Sequence, residues 1–296
     1  FDKKKPDFVL VQGDRGESVA AAIAASHLNI PVTHMHGGEI NNTIDESNRH
    51  AITKYAHIHF PSTKQSAERI VKMGEAESKV FLVGAAGIDG LSTKQFSSKE
   101  ELAAKYGFNP EEPYALVIQH PCSGEVEESG KQMHETFEAV KESGLQSVVV
   151  YSNSDAGYSK MIEEVEKAVK ESDKIHAFPN VEHDDYLALM KYAAVMVGNS
   201  SGAIVEAPSL KLPVVNIGNR QNKREKAVNI IDVGYNKEEI IKAIKKALDD
   251  NGFLEQVAKG ETPYDPFGTG NAGERIAEVL AETKITQDLL MKQITY

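Results

Sequence analysis

The chain has 296 residues, of which 41% are hydrophobic and 26% are charged, a composition typical of a globular protein with one large domain or two. Its net charge of −11 argues against a general binder of nucleic acids or membrane surfaces, although a few local donors can still hold a small anion. The single cysteine excludes an internal disulfide, and the N-terminus has no secretory signal, so we expect a cytoplasmic protein without a membrane span.

The first part of the chain alternates short apolar runs with helical patterns. The run at 7–13 predicts a buried strand, the alanine-rich segment 17–28 predicts a helix, and 30–34 predicts the next strand. Strand, helix and strand in this order form the unit from which parallel sheets are built. The same alternation predicts a helix at 45–56, a strand at 57–60, a helix at 64–72 and a strand at 79–83.

Glycines and prolines interrupt this alternation at 84–113, which predicts a connection between two domains with one charged helix at 99–106. The alternation then restarts and predicts strands at 114–119, 146–151, 175–178, 193–197, 213–217 and 228–233, with helices at 125–141, 156–170, 183–192, 201–210 and 237–249. A helix at 272–282 and a helical tail end the chain. We therefore expect an α/β protein of two Rossmann-like, doubly wound domains with a ligand cleft between them.

A stretch at 34–50 concentrates titratable groups directly after a predicted strand. It holds three histidines together with the carboxylates Glu39, Asp45 and Glu46. The adjacent Gly37-Gly38 pair lets the backbone turn, so this density favours a polar pocket over a solvated loop. His34, His36 and Glu39 are also possible metal ligands, but the same residues serve equally as general acids and bases.

Gly13-Asp14-Arg15 joins the first strand to its helix and places two charged side chains at the carboxyl end of that strand. A structural role is an equal alternative, with Asp14 as helix cap and Arg15 as a surface charge. In the second part of the chain, His120 follows a strand and is expected on the opposite side of the cleft. Cys122, nearby, is a possible nucleophile but more often such a residue is a small buried hydrophobe.

The run from Gly198 to Gly202 ends a strand and opens a helix. Free backbone N–H groups at the helix start and the hydroxyls of Ser200 and Ser201 predict a phosphate-sized anion site, with a plain helix cap as the alternative. Glu206, one turn later, is placed to accept hydrogen bonds from ribose hydroxyls. The next loop carries the local cations Arg220, Lys223 and Arg224, which predict a second phosphate contact or a solvated basic loop.

Taken together, these motifs resemble the UDP-N-acetylglucosamine 2-epimerases, and most closely their hydrolysing branch, which makes N-acetylmannosamine for sialic acid synthesis. The resemblance covers nearly the whole chain and rests on Gly13-Asp14-Arg15, Gly37-Gly38-Glu39, Thr43 to Ser47, Arg49 to Lys54, Gln119-His120-Pro121, Gly198 to Ser201 and Asn216 to Gln221. It implies the glycosyltransferase-B fold, with an N-terminal domain at 1–90 completed by a C-terminal helix at 272–296, and a UDP-binding domain at 91–271. Family enzymes carry a further strand and a Gly-x-Arg-Pro-Glu loop before this region, so we expect the chain to be a fragment.

The resemblance also implies roles for single residues. The residues expected to act in catalysis around the sugar are Asp14, Glu39, Asp45, Glu46 and His120. Those expected to bind the substrate, chiefly on its nucleotide side, are Arg15, His36, Asn153, Ser200, Ser201, Gly202, Glu206 and Arg220. The family reaction eliminates UDP to give a 2-acetamidoglucal, which water then attacks, and it requires neither a cofactor nor a metal. The implied partners are a UDP-sugar and a second copy of the chain.

Several alternatives stay open at this point. The non-hydrolysing branch carries Glu-Ala-Gly-Leu-Arg in place of the segment from His36 to Glu39, and His-Arg-Arg-Glu-Asn in place of His120-Pro121-Cys122, so both departures favour hydrolysis. A hydrolysing enzyme for UDP-diacetylbacillosamine is barely separable from one for UDP-N-acetylglucosamine. A glycosyltransferase of the same fold, or a UDP-sugar binding module without catalysis, represents a different class.

Overall fold

The computed structural model describes residues 1–41, 45–122 and 124–295. The chain divides into two compact units. Unit 1 consists of Phe1–Gly90, the three residues Lys223–Glu225 and the chain from Pro263 onward, and unit 2 consists of Leu91–Asn222 and Lys226–Thr262. The predicted second domain included 223–225 and 263–271, which here belong to unit 1. Tyr264 explains part of this difference, because its side chain is buried and its carbonyl accepts a hydrogen bond from Ala85 N–H at 2.9 Å.

Unit 1 contains a three-stranded parallel sheet in the order β1-β2-β3. Its elements in this part of the chain are β1 (Val9–Gln12), α1 (Gly16–His27), β2 (Val32–Met35), α2 (Asp45–Tyr55), β3 (Ile58–Phe60) and α3 (Lys64–Lys72). All six were predicted, with ends that differ by no more than two residues. The register places Gln12, Met35 and Phe60 side by side, so the residues that follow these strands lie along one edge of the sheet.

The strand predicted at 79–83 does not form, and that prediction was wrong. Only an isolated parallel bridge joins His59 to Val80. Phe81 N–H still donates to the His59 carbonyl at 2.9 Å, and Val83 N–H donates to the Pro61 carbonyl at 3.2 Å. Pro61 has no N–H with which to continue the ladder between these two bonds, so pairing stops at the bridge.

Unit 2 contains a six-stranded parallel sheet in the order β6-β5-β4-β7-β8-β9. Its elements are α4 (Lys99–Tyr106), β4 (Tyr114–Ile118), α5 (Ser129–Glu142), β5 (Gln146–Val150), α6 (Tyr158–Glu171), β6 (Ile175–Phe178), α7 (His183–Tyr192), β7 (Val195–Gly198), α8 (Ser201–Val205), β8 (Val214–Ile217), β9 (Ile230–Val233), α9 (Lys237–Asp249) and α10 (Asn251–Val257). The first strand in sequence, β4, is central, and the winding direction reverses between β4 and β7. This is the Rossmann order, in which ligands bind outside the carboxyl ends of the strands at the reversal point.

The central strands explain why the sequence forms this sheet. Every residue of β4, β7 and β8 is buried, as expected for parallel strands that pack on both faces. Their apolar side chains join those of α5, α6 and α9 in one core that includes Val117, Phe137, Val149, Met161 and Ile244. The predicted α/β class with parallel sheets is confirmed.

Three helical segments differ from the prediction. The helix expected at 201–210 ends at Val205, since Pro208 cannot donate the next intrahelical hydrogen bond. Helix α10 was not predicted; Asp250 starts it by accepting a hydrogen bond from Phe253 N–H at 3.0 Å. After α11 (Ala272–Glu282), the expected helical tail is replaced by irregular residues and the short α12 (Gln287–Leu290). None of the helices described could cross a membrane.

Candidate functional site

Asp14 lies at the carboxyl edge of the unit 1 sheet, just after β1. Its carboxylate accepts a hydrogen bond from Arg49 Nη2, and Asn41 Nδ2 lies 3.5 Å from the same oxygen. Burial raises the pKa of Asp14 above its ordinary value; Arg49 opposes this rise, and the charge of Asp45 adds to it. Asp14 is therefore a carboxyl group that can exchange a proton more easily than a solvated one. The helix cap beside it is Arg15, which is exposed, so the alternative that made Asp14 the cap was wrong.

Arg49 is a residue of this site whose role the sequence did not reveal. It projects from α2 and is only 3% exposed. Besides the bond to Asp14, its Nε and Nη1 atoms are buried without a hydrogen-bond partner among the described residues. A buried guanidinium needs an anion nearby, which Asp14 supplies. Because Nε and Nη1 make no further hydrogen bond among the described residues, the pair with Asp14 uses only part of the hydrogen-bonding capacity of Arg49.

Glu39 occupies the same edge of the sheet, after β2, and is 3% exposed. One carboxylate oxygen lies 2.9 Å from His36 Nδ1 and 3.3 Å from Ser62 Oγ, and the other accepts a hydrogen bond from Arg224 Nη2. Burial alone would raise the pKa of Glu39, but the Arg224 guanidinium and the His36 hydrogen bond outweigh burial and hold this pKa well below its usual range. Glu39 is thus a fixed anion.

The glycine before Glu39 is required by close packing. Gly38 has a φ of +74°, and a Cβ atom there would lie 2.2 Å from the Ser66 carbonyl oxygen of α3. Arg69, also on α3, donates a hydrogen bond to the Gly38 carbonyl. The backbone of the predicted pocket is therefore held against α3 at the point where Glu39 leaves the strand edge.

His34 has a structural role. It is fully buried, its Nε2 lies 2.8 Å from the Gly13 carbonyl, and burial lowers its pKa to about 3. Its ring is therefore neutral at physiological pH and donates to the loop that carries Asp14. Within residues 1–41, 45–122 and 124–295, no group of three histidine, cysteine or acidic side chains is arranged to hold a metal ion, so the metal hypothesis for His34, His36 and Glu39 finds no support in the geometry.

The two acids at the start of α2 lie in different surroundings. Asp45 is close enough for its charge to raise the pKa of Asp14. Glu46 is about one-third exposed and lies 3.4 Å from His50 Nε2, one turn further along the helix. The structure thus brings Asp45, rather than Glu46, towards Asp14. Thr43 and Ile44, which belong to the same motif, lie outside the described residues.

In unit 2, the reversal point of the sheet is held by Asn199. Its side chain accepts a hydrogen bond from His120 N–H at 2.7 Å and donates to the His120 carbonyl at 2.9 Å, which ties the end of β4 to the end of β7. His120 Nδ1 accepts the N–H of Asn153 at 3.0 Å, and burial lowers the pKa of His120 to about 4. His120 is therefore neutral at physiological pH, with its proton on Nε2.

Ser200 caps α8 by accepting a hydrogen bond from Gly202 N–H at 3.3 Å, so the capping alternative is confirmed for this residue. Ser201 is exposed at the first position of the helix. Gly202 is required because a Cβ atom there would lie 2.0 Å from the hydroxyl of Tyr186. The carboxylate oxygen Oε2 of Glu206, the C-cap residue of α8, would lie 3.0 Å from the same Cβ atom. Anion binding by this helix start stays a prediction.

The loop after β8 is tied to the same reversal point. Arg220 Nη1 and Gln221 Nε2 donate to the Asn199 carbonyl at 3.2 Å and 2.8 Å. Asn153, predicted on the nucleotide side, donates its side-chain amide to Asp155 at 2.7 Å. The position of Arg224 differs from the prediction of a second phosphate contact or a solvated loop. Arg224 lies in unit 1, and its guanidinium binds Glu39. Cys122 is buried, as expected for a small packing residue.

The residues that sequence reasoning missed are mainly partners of the predicted ones. Arg49 and Arg224 hold the two carboxylates, Ser62 supports Glu39 and His36, and Asn199 joins two strand ends. Asn199 and Arg49 lie inside motifs that were noticed. The spacing of residues in a motif does not reveal which distant side chain each one will meet.

Comparison with known proteins places this architecture in a family. Residues 1–281 match the family described as UDP-N-acetylglucosamine 2-epimerase. The chain is 37% identical over 297 residues to UDP-N,N′-diacetylbacillosamine 2-epimerase (hydrolyzing) of Legionella pneumophila, covering 100% of this chain and 76% of the relative. It is 33% identical over 279 residues to UDP-N-acetylglucosamine 2-epimerase of Neisseria meningitidis, covering 94% of this chain and 72% of that protein.

Solved structures agree with this result. The Neisseria meningitidis UDP-GlcNAc 2-epimerase bound to UDP-GlcNAc matches with a TM-score of 0.82 at 22% identity, over 95% of this chain and 78% of that one. The Methanocaldococcus jannaschii enzyme in complex with UDP-GlcNAc and UDP matches with a TM-score of 0.74 at 26% identity, over 95% and 77%. These likenesses confirm the predicted glycosyltransferase-B fold. The sequence match over residues 1–281 shows that the chain belongs to the UDP-N-acetylglucosamine 2-epimerase family of enzymes.

Proposed function

We propose that the chain is a hydrolysing 2-epimerase that converts UDP-N-acetylglucosamine and water into N-acetylmannosamine and UDP. The observation that carries the proposal is the contrast between Asp14 and Glu39. The charge of Glu39 contributes to the raised pKa of Asp14, whereas Glu39 itself has a lowered pKa. Neighbouring carboxyl groups whose surroundings push their pKa values apart indicate a division of roles between proton transfer and charge stabilisation.

In the first step, Asp14 removes the proton from C2 of the sugar. The electron pair of that C–H bond forms the C1–C2 double bond, and UDP leaves with the electron pair of the C1–O bond. The product is a 2-acetamidoglucal. Asp14 suits this role because burial makes its carboxylate more basic, whereas Glu39 is held ionised and would accept a proton poorly.

Glu39 stabilises the reaction as an anion. Positive charge grows at C1 while the diphosphate departs, and a fixed carboxylate near this carbon lowers the free energy of that transition state. In the second step, C2 takes a proton from an acid on the opposite face, and water bonds to C1 through its oxygen. The proton that this water loses restores the acid, and Asp14 releases its own proton to the solvent. Asp45 supplies this second acid, because it is the α2 carboxyl group whose charge reaches Asp14.

The nucleotide is assigned to unit 2. The reversal point between β4 and β7 is where ligands bind in sheets of this order, and it presents neutral donors together with one cation. The diphosphate is contacted by Ser200, Ser201, Gly202 and Arg220. Glu206 binds the ribose, and Asn153 helps to bind the nucleotide. The neutral His120 donates from Nε2 to the departing group.

A second substrate is favoured by a specific observation. The Legionella relative, at 37% identity over 100% of this chain, is named for UDP-N,N′-diacetylbacillosamine. In support of the sialic acid route, the chain is also 34% identical over 267 residues to polysialic acid biosynthesis protein P7 of Escherichia coli, covering 89% of this chain and 68% of that protein. The reaction at C1 and C2 would be the same for either sugar.

The test is a reaction in D2O followed by proton NMR, with UDP-N-acetylglucosamine and UDP-N,N′-diacetylbacillosamine in separate tubes. Hydrolysis predicts free N-acetylmannosamine with deuterium at C2, together with released UDP. A 2-epimer that is still linked to UDP would refute the hydrolysing mechanism. Faster turnover of UDP-N,N′-diacetylbacillosamine would change the proposed sugar substrate but leave the proposed mechanism unchanged. Binding of UDP without turnover of either substrate would indicate a binding module.

A further inference from the structure

One short segment of the chain has side-chain anchors in both units. Residues 219–222 are bound within unit 2, where Asn219 Nδ2 donates to Glu125 at 2.9 Å and Gln221 Nε2 donates to the Asn199 carbonyl at 2.8 Å. The next three residues, Lys223–Glu225, belong to unit 1. Lys226 is again bound within unit 2, to Asp232 at 2.7 Å.

Two side-chain bonds hold the three unit 1 residues in place. Arg224 binds Glu39, with side-chain exposures of 10% and 2%. Glu225 accepts a hydrogen bond from the hydroxyl of Thr63, the residue that caps α3. The cavity lined by Glu39, Arg224 and Tyr264 has a volume of about 10 Å³, room for about one water molecule. Water screens such an enclosed ion pair very little.

The geometry of the segment makes it a short connection. Arg220, assigned to the diphosphate, and Arg224, bound to Glu39, are four residues apart. An extended chain of that length spans no more than about 14 Å, so a displacement of one end reaches the other. Lys223 has a φ of +67°, a conformation that non-glycine residues adopt only where surrounding contacts hold it.

We propose that residues 219–225 form a coupling loop, through which the nucleotide bound at Arg220 fixes the position of Arg224 and hence of Glu39. Arg224 is in this account a positioning residue: it contacts the carboxylate rather than the substrate. The inference rests on the proposed function in one respect, the contact of Arg220 with the nucleotide. It adds that the anion needed during departure of UDP is most firmly held while UDP is still bound.

Coupling of this kind is reciprocal. If bound UDP strengthens the Arg224–Glu39 pair, then loss of the pair must weaken UDP binding by the same factor, although neither residue is assigned to the nucleotide. UDP affinity therefore tests the loop without any turnover, and its outcome does not depend on which sugar the enzyme accepts.

The experiment measures the Kd of UDP by calorimetry for the wild type and a set of folded variants. Glu39→Ala and Arg224→Met should each weaken UDP binding by about fivefold or more, and the double variant should be no weaker than either single one. Glu39→Gln keeps an oxygen that accepts the Arg224 hydrogen bond but loses the charge, so its Kd should lie between those of the wild type and Glu39→Ala. Glu75→Gln is the matched control, because Glu75 is an equally buried unit 1 carboxylate that has no contact with the loop.

The pH dependence of turnover separates positioning from mere support of the fold. Arg224→Met removes the cation that keeps Glu39 ionised, so the acidic limb of the kcat/KM profile should move to higher pH, and Arg224→Lys should restore most of the shift. Unchanged UDP affinity in folded Arg224→Met and Glu39→Ala would overturn the coupling while leaving the proposed function intact. Failure of the wild type to bind UDP would instead overturn the proposed function.

Discussion

The two units bury different kinds of polar side chain. Among the residues that the structure describes, the buried polar set of unit 1 includes five charged or imidazole groups, namely His34, Glu39, Arg49, His59 and Glu75. In unit 2 the corresponding set consists of amides and hydroxyls, with Asp185 as its one acid. Burying an ion without a partner costs several kcal/mol, and even a paired ion returns little net stability.

This difference indicates which unit carries polar groups that serve function at the expense of folding stability. Unit 2 folds around an apolar core and offers neutral donors at its reversal point, which suits the recognition of an anionic nucleotide. Unit 1 retains ions that a purely structural domain would replace with apolar side chains. We therefore expect substitutions at the polar sites of unit 1 to act mainly on turnover and on acid stability, with UDP affinity affected through the coupling loop, and those of unit 2 to act mainly on nucleotide affinity.

The largest expected effect is on turnover. Asp14→Asn should reduce kcat by about 10²–10⁴-fold, the range by which a positioned base contributes to catalysis, and Glu39→Gln by about 10²–10³-fold, the range for loss of one electrostatic stabiliser. Both variants should bind UDP within about threefold of the wild type, since the nucleotide groups are assigned to unit 2. Initial rates and calorimetric UDP titrations on the same preparations measure this. Near-normal turnover in either variant would remove that residue from the mechanism.

The opposite pattern is expected from unit 2. Arg220→Met should raise the Kd of UDP by about 10–100-fold, because a hydrogen bond from a charged group contributes about 1.5–3 kcal/mol. At saturating substrate its kcat should fall much less than that of Asp14→Asn. Lys226→Met is a suitable control, because Lys226 is a nearby cation whose ammonium binds Asp232 within unit 2. If Arg220→Met and Lys226→Met changed the Kd equally, the nucleotide contact of Arg220 would be wrong.

Prediction from sequence succeeded where local patterns decide the structure. Alternating apolar runs located both sheets, and glycines beside charged residues marked Asp14 and Glu39 at strand ends. It failed where the structure depends on contacts between residues that are far apart in the sequence. Arg224 meets Glu39 across 185 positions, and no local spacing records that pairing. The absent strand at 79–83 depends likewise on Pro61 in a neighbouring segment.

The next largest effect concerns the stability of unit 1. Lys292 Nζ donates to the carbonyls of Thr53, Lys54 and Ala56 at 2.7–2.9 Å and lies 2.5 Å from Glu75. It thereby closes the end of α2, the helix that carries Asp45 and Arg49. Lys292→Met should lower the free energy of unfolding by about 2–4 kcal/mol, since several buried acceptors lose their donor. Urea denaturation measures this loss. Lys284→Met, an exposed position in the same segment, should change stability by less than about 0.5 kcal/mol.

The smallest expected effect is on acid stability, and it concerns Glu75. Burial would raise its pKa, but hydrogen bonds from His59, Lys292 and Lys54 lower it from 4.5 to about 2. A carboxyl group with a depressed folded pKa stabilises the fold fully above its unfolded value, and that contribution is lost as the pH falls from 4.5 towards 2. Wild-type unfolding free energy should therefore drop between pH 5 and pH 3.5 by about 1 kcal/mol more than that of Glu75→Gln, within the limit of about 1.4 kcal/mol per pH unit for one proton. Glu68→Gln, an exposed carboxyl of α3, should keep the wild-type dependence. Equal acid slopes for the wild type and Glu75→Gln would show that the acid sensitivity of unit 1 arises elsewhere, with Glu39, His34 and His59 as the other buried titratable groups.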